Sequence, residues 1–204
     1  FGVFELNAGG SSKLFAPGRY TGGAPAALDP AQIAEQVTYA WYTPASGNLH
    51  PSQGITEPDA DKPGAYSWSK APRYANQPYE LGPLARMWIN NDYSHGISAM
   101  DRIMARALET KKIADAMDGW LDQLVPGAPT LTPSEIPAQA TSAGLTEAPR
   151  GALGHWLSVE NSVISRYQVV TPTNWNAAPR DHLGQPGPLE AALVGVPVAD
   201  ANQP

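Results

Sequence analysis

The strongest constraint on this chain is its load of backbone punctuation: 21 prolines and 19 glycines in 204 residues, nearly a fifth of the total, with no collagen-like period. Each proline fixes φ and removes a donor, and each glycine loosens the backbone, so most of the length is held to short elements and turns. Disorder is not the expected outcome. Hydrophobic residues make up 42% of the chain, with six Trp and eight Tyr, too much apolar surface for a polymer that stays unfolded. The length suits one domain or two small ones with a sizeable core. Thirteen basic against 19 acidic residues leave a net charge of −6, which argues against a surface that grips nucleic-acid phosphates. The absence of cysteine excludes disulfides, thiolate nucleophiles, Cys-ligated zinc and iron–sulfur clusters carried by this chain alone. No run of about 20 apolar residues is present, and FGVFELNAGG lacks the regions of a signal peptide, so no transmembrane segment or leader is expected within these residues. Opening on Phe1 and closing on PVADANQP, the chain reads as part of a longer polypeptide.

Four segments follow from composition and periodicity. Residues 1–65 form an irregular, β-containing lobe and connector, with β-like runs at Val3 to Leu6 and Lys13 to Phe15 and turns at Pro17-Gly18 and Gly22-Gly23. Within this lobe Asp29-Pro30 provides a cap and a first-turn proline. Ile33, Ala34, Val37 and Ala40 follow at helical spacing, which predicts a helix over about 30–40. The stretch from Trp41 to Tyr79 has little periodicity, but its aromatics favour an ordered loop. Residues 66–124 form a helical core segment, with a short helix at 81–90 and a long amphipathic one at 95–124. The apolar positions of that long helix, among them Ile97, Met100, Ile103, Met104, Leu108, Met117, Trp120, Leu121 and Leu124, are expected to form a core-packed face. Residues 125–145 are a Pro-rich connector. In 146–204, His155 to Val159 and Val163 to Val170 predict a hairpin, 171–180 a Pro-rich turn, and Gly187-Pro188 the start of a short helix. No internal repeat is found, and the segments are expected to belong to one domain of a longer parent.

Few residues carry chemistry on their own. His50, His95, His155 and His182 show no i, i+3 or i, i+4 pairing, so a zinc site is not expected. Glu57, Asp59 and Asp61 alternate along a loop as solvated surface acids do, and the Gly pairs at 9–10 and 22–23 lack the surroundings of a phosphate loop. The distinctive segment is TEAPRGALGHW (146–156). Its Pro-Arg-Gly step bends the chain and holds a guanidinium beside backbone that Gly151 leaves open to close approach. Downstream, Thr171 to Asn176 and Pro179-Arg180-Asp181 place hydroxyls, amides and backbone N–H groups on proline-rigidified turns, which suit a small anion.

These segments carry a resemblance. TEAPRGALGHW, YQVVTPTNWN, PRD and GPLEAALVGVPVAD, preceded by YSWSKAPRY (66–74) and YELGPLAR (79–86), stand in the order and spacing of the large subunit of nickel-iron hydrogenases. The resemblance is close over 66–204 and looser over 1–65. It implies an α+β fold with long core helices, small antiparallel β elements and many ordered loops. It also implies a parent that cleaves H2 reversibly into protons and electrons, the electrons leaving through an iron-sulfur small subunit. In that family four cysteines in two pairs hold nickel and iron, and the iron carries CN and CO. This chain has no nickel or iron ligands, would lie between the two pairs, and is expected to be inactive alone.

Carried over position by position, the resemblance makes Arg150 the guanidinium that hangs over the open face of the metals. Pro149 is its neighbour behind that face, Pro172 and Thr173 form the turn around the cyanides, and Leu153 is an apolar neighbour of the iron's diatomic ligands. The carbonyl of Val169 falls where the family binds a magnesium or iron ion. His155 and Trp156 belong to the framework, with His155 expected in a satisfied buried hydrogen bond, Arg180 and Asp181 are expected to pair with each other, and Arg73 and Arg86 are expected to be scaffold. Glu147 is not the family's proton-passing glutamate, which lies near the first cysteine pair. Val169 and Thr171 in YQVVTPTNWN, and the short central insertion, resemble the uptake and sensory branches more than the periplasmic one. A hydrogen-sensing protein and a metal-free scaffold paralogue are the alternative readings, and the resemblance leaves open a cytoplasmic, membrane-associated or periplasmic location.

Overall fold

The computed structural model describes residues 1–4, 13–131 and 133–198, so Leu6 of the first expected β-run and the Gly9-Gly10 pair lie outside the described residues. The chain folds as two compact units, Phe1–Pro30 with Leu81–Pro172 and Ala31–Glu80 with Thr173–Pro204.

The first unit opens with two small antiparallel pairs. Strand β1 (Val3–Phe4) lies beside β2 (Lys13–Phe15), and β3 (Arg19–Thr21) beside β4 (Ala24–Ala26). The second pair is closed by Gly22-Gly23, whose φ values of 59° and 83° match the twist of a two-residue hairpin turn. Helix α1 (Pro83–Ile89) starts with proline at its first position, where the missing N–H has no partner to lose. Helix α2 (Ala99–Asp122) begins with a reciprocal cap: Ser98 Oγ accepts from the Asp101 N–H at 3.2 Å, and the Asp101 carboxylate accepts from the Ser98 N–H at 2.7 Å. Both helices sit where the sequence places them. Their shared core is Phe15, Leu84, Met87 and Ala105, flanked by Leu14, Trp88, Tyr93, Leu108 and Ile113.

The expected core-packed stripe along α2 is corrected. Met100, Ile103, Met104, Met117 and Leu121 are exposed, as are Ile97 and Leu124 at the helix ends, and within α2 the buried residues are Ala105 and Glu109. Three- and four-residue spacing reports that a face is apolar, not that these residues contain what would cover it.

The unit's main sheet is antiparallel, in the order β7 (Gln139–Ala148), β8 (Gly151–Glu160), β9 (Val163–Val170). The β8–β9 hairpin stands as expected and turns through Asn161 and Ser162, both left-handed at φ 54° and 59°. Strand β7 is an addition: it starts at Gln139, inside the segment read as connector, and pairs with β8 in unbroken register from Gln139↔Glu160 to Ala148↔Gly151. The β8–β9 register shifts where Val159 faces Ile164 but Ser158 faces Arg166, leaving Ser165 as the extra residue of a bulge.

In the second unit the helix expected over 30–40 is replaced by a single 3₁₀ turn, Pro30–Gln32, and strand β5 (Ile33–Gln36). Strand β5 pairs antiparallel with β6 (Ala71–Tyr74), from Ile33↔Tyr74 to Gln36↔Ala71. Ile33, Glu35, Gln36 and Val37 are all buried, and a distant backbone partner outweighs the local helical spacing. The loop from Trp41 is ordered, as its aromatics imply: Trp41 and Trp68 rings pack 5.2 Å apart, and the Lys62 ammonium donates to the carbonyls of Val37 and Tyr42 at 2.5 and 2.9 Å. After β9 come the short helices α3 (Pro172–Asn176) and α4 (Pro188–Leu193), the second where Gly187-Pro188 places it. Among the described residues no helix is long and apolar enough to cross a membrane.

Candidate active-site wall

Arg150 stands at the tip of the β7–β8 hairpin. Because Ala148 pairs with Gly151, only Pro149 and Arg150 make the turn, and both are exposed. Proline sets the entry angle, and Gly151 takes φ 134°, a conformation that side-chain-bearing residues rarely adopt. The space behind the turn demands glycine as well. A Cβ on Gly151 would lie 2.7 Å from Leu81 Cβ and 2.9 Å from the Gly82 nitrogen, and one on Gly82 would lie 3.0 Å from the Arg150 carbonyl oxygen. Two glycines thus let the start of α1 lie directly against the turn.

One turn into α1, Arg86 is buried and its guanidinium is fully committed. Nε and Nη2 donate to the two oxygens of Glu109 at 2.5 and 2.8 Å, and Nη1 donates to Glu147 Oε2 at 2.8 Å. The remaining bonds run to the turn itself, from Nη1 to the Ala148 carbonyl at 3.2 Å and from Nη2 to the Pro149 carbonyl at 3.0 Å. Burial pulls the Arg86 pKa down, but Glu109 and Glu147 outweigh it and the value is raised. Glu147 Oε1 also accepts from the Phe1 nitrogen at 2.7 Å. Glu109 reaches Arg86 from α2 because it sits four residues after buried Ala105, on the same face. The sequence reading did not single out Glu109 or Gly82; an acid in register with the buried side of an amphipathic helix was the available signal for the first.

Other expected residues fall as follows. Leu153 lies half-buried on β8 opposite Thr146, Val169 half-buried on β9 opposite His155, and Pro172 is buried at the start of α3. Thr173 is exposed and belongs to the second unit. His155 has its partner, the Tyr167 hydroxyl 2.5 Å from Nδ1, but the pair is on an open face rather than buried. Trp156 is buried, and its ring covers Gly154, where a Cβ would fall 2.2 Å away.

The expected Arg180–Asp181 pair is also corrected. Asp181 Oδ2 instead accepts from Arg73 Nε at 2.6 Å, with both side chains 1% exposed. Arg73 spends its other donors on the carbonyls of Pro72, Pro179 and Gln185 at 3.0 to 3.2 Å. Asp181 Oδ1 accepts from the N–H groups of Leu183 and Gln185 at 2.9 and 3.0 Å. Desolvation would raise the Asp181 carboxyl, but Arg73 and these N–H groups hold it below its ordinary value. Adjacent residues such as Arg180 and Asp181 rarely face each other, and here a strand far back in the sequence supplies the partner.

The sequence profile described as nickel-dependent hydrogenase matches residues 9–96 and 90–204, and the chain belongs to that family. The periplasmic [NiFeSe] hydrogenase large subunit of Desulfomicrobium baculatum is 43% identical over 229 aligned residues, covering 100% of this chain and 45% of the relative. The hydrogenase-1 large chain of Escherichia coli is 35% identical, covering 87% and 38%, and the uptake hydrogenase large subunit of Bradyrhizobium diazoefficiens 33%, covering 86% and 38%. Among solved structures, the Ni-Fe-Se hydrogenase of D. vulgaris Hildenborough superposes with a TM-score of 0.90 at 41% identity, over 98% of this chain and 47% of that one. This chain therefore spans about half the length of the proteins it matches. Identity is higher to the periplasmic [NiFeSe] relative, at 43%, than to the uptake hydrogenase large subunit of B. diazoefficiens, at 33%.

The α+β architecture agrees with that family's fold. The donor set of this chain does not fit a nickel–iron centre. It contains no cysteine, and the described residues hold no cluster of three His, Asp or Glu placed to bind a metal.

Proposed function

We propose that this chain forms the wall of the active site in a hydrogenase large subunit whose parent cleaves H2 reversibly into protons and electrons. Support comes from one observation above the rest: Arg150 projects from a two-residue turn whose backbone is clamped from behind, with its side chain exposed. A guanidinium carried on a fixed backbone beside open space suits recognition of a small anionic or polarised group, because its planar fork of donors starts from a set position. In this reading Leu153 neighbours the diatomic ligands of the iron, Pro172 and Thr173 form the turn around its cyanides, and Pro149 stands behind Arg150. The Val169 carbonyl would offer one oxygen to a magnesium ion, whose other ligands would come from outside the described residues. Electrons leave through an iron–sulfur small subunit, and the 204 residues alone turn over no hydrogen, having no thiolate to hold nickel.

The test is Arg150→Lys in the complete large subunit with its partner, read as H2-dependent dye reduction. Loss of the planar fork is expected to lower kcat by about 10²-fold with little change in KM, the size seen when one preorganised donor is removed. Full turnover in Arg150→Lys would overturn the assignment. The 204-residue chain expressed alone is expected to hold no nickel by elemental analysis, and the natural protein to have a mass well above twice 21.6 kDa. A natural mass near 21.6 kDa would refute the hydrogenase reading.

A further inference from the structure

We propose that Arg86 is the positioning residue of the Arg150 turn, acting through the turn's backbone; this rests on the reading of Arg150 given above. A buried arginine usually answers one carboxylate. Arg86 answers two and still spends two donors on consecutive main-chain carbonyls, those of Ala148 and Pro149, immediately before Arg150. The carboxylates serve the guanidinium: Glu109 grips one edge with both oxygens and Glu147 meets Nη1, so the planar group has no freedom to rotate. The carbonyls then take their position from that plane.

Shape acts in the same direction. With Gly151 against Leu81 and Gly82 against the Arg150 carbonyl, the turn cannot move back toward α1, and the bonds from Arg86 keep it from moving away. The peptide that carries Arg150 is thus confined from both sides while its side chain stays exposed. The two halves of the device lie in separate motifs, LGPLAR at 81–86 and EAPRG at 147–151, which neither motif alone reveals. Lysine cannot substitute at position 86, because three donors around one nitrogen cannot span two carboxylates and two carbonyls in one plane.

A double-mutant cycle in the complete heterodimeric protein tests this, comparing R86K, R150K and R86K/R150K. R86K is expected to lower kcat about tenfold with KM for H2 within about twofold, as a small displacement of a reacting group does. In the R150K background the same change should alter kcat less than about twofold, since the group that Arg86 positions is then already compromised. Hydrogen exchange should also quicken in the peptide covering 148–152 and not across β8–β9. Independent effects that multiply in the double variant, or unchanged exchange at 148–152, would overturn the proposal while leaving the Arg150 reading intact. A fully active R150K would overturn both. Should R86K not assemble, Glu109→Gln frees one edge of the guanidinium and is expected to give the same non-additive pattern at about threefold; additivity there refutes it equally.

Discussion

Replacing Asp181 by Asn is the sharpest probe of the second unit, because it removes one charge and almost no volume. Asparagine still offers an oxygen to the Leu183 and Gln185 N–H groups, so the loss falls on Arg73, left as a cation at 1% exposure. Breaking a buried pair from one side costs about 3–5 kcal/mol. Three carbonyls still accept from the Arg73 guanidinium, which places the expected loss near the lower end, at about 3 kcal/mol. For a domain of this size that is a fall in Tm of about 6–12 °C. Urea titration of the intact protein with a near-ultraviolet signal measures it, and Lys111→Ala provides the scale. Lys111 and Asp115 form an exposed pair on α2, so its loss should cost less than about 0.5 kcal/mol. The acid limb gives a second reading. Asp181 titrates below its ordinary value in the fold, so its contribution is complete above the unfolded pKa of about 4 and is lost as the pH falls through the lower, folded value. Stability of the Asn variant should therefore fall less steeply over that window. A Asp181→Asn cost as small as that of Lys111→Ala, or an unchanged acid limb, would refute the argument.

Gly151→Ala should destabilise the first unit by at least about 2 kcal/mol, from a positive φ together with a Cβ thrust against Leu81 and Gly82, and thermal unfolding checks it. Ser98→Ala should cost about 1 kcal/mol and fray the first turn of α2, visible as faster amide exchange at residues 99–102. In the parent protein the Asp101 carboxyl should titrate below its ordinary value by NMR, because Ser98 and Tyr93 donate to it, and Ser98→Ala should bring it back toward normal.

Local chemistry was readable where an element answers only to itself. Helix α2, the Asn161–Ser162 hairpin and the proline that opens α4 all follow from nearest-neighbour spacing and turn preference. Strand β5 does not: Ile33 to Gln36 looks helical in its own window and becomes extended because β6, on the far side of a long loop, supplies its backbone partner. Strand β7 fails for the opposite reason, since QATSAGLTEA shows no alternation and is mostly exposed, and pairing with β8 alone makes it a strand. The same division runs through the site. The Pro-Arg-Gly turn announces itself, whereas its clamp needs Arg86, Glu109 and Glu147 from three elements, and Asp181 finds Arg73 rather than the arginine beside it.

The bulge at Ser165 divides the β8–β9 ladder into two stretches, while β7 runs unbroken along β8. At about 3.3 Å per residue, β8 carries the Arg150 turn roughly 30 Å from the Asn161–Ser162 turn. On the near side a residue inserted just after Gly151 would flip the side chains that follow it, Leu153 and Trp156 included, to the opposite face. On the far side β9 already carries one extra residue between the Asn161–Ser162 turn and the near stretch. The Asn161–Ser162 turn is thus where a tag, a label or a grafted loop can be inserted farthest from the Arg150 turn.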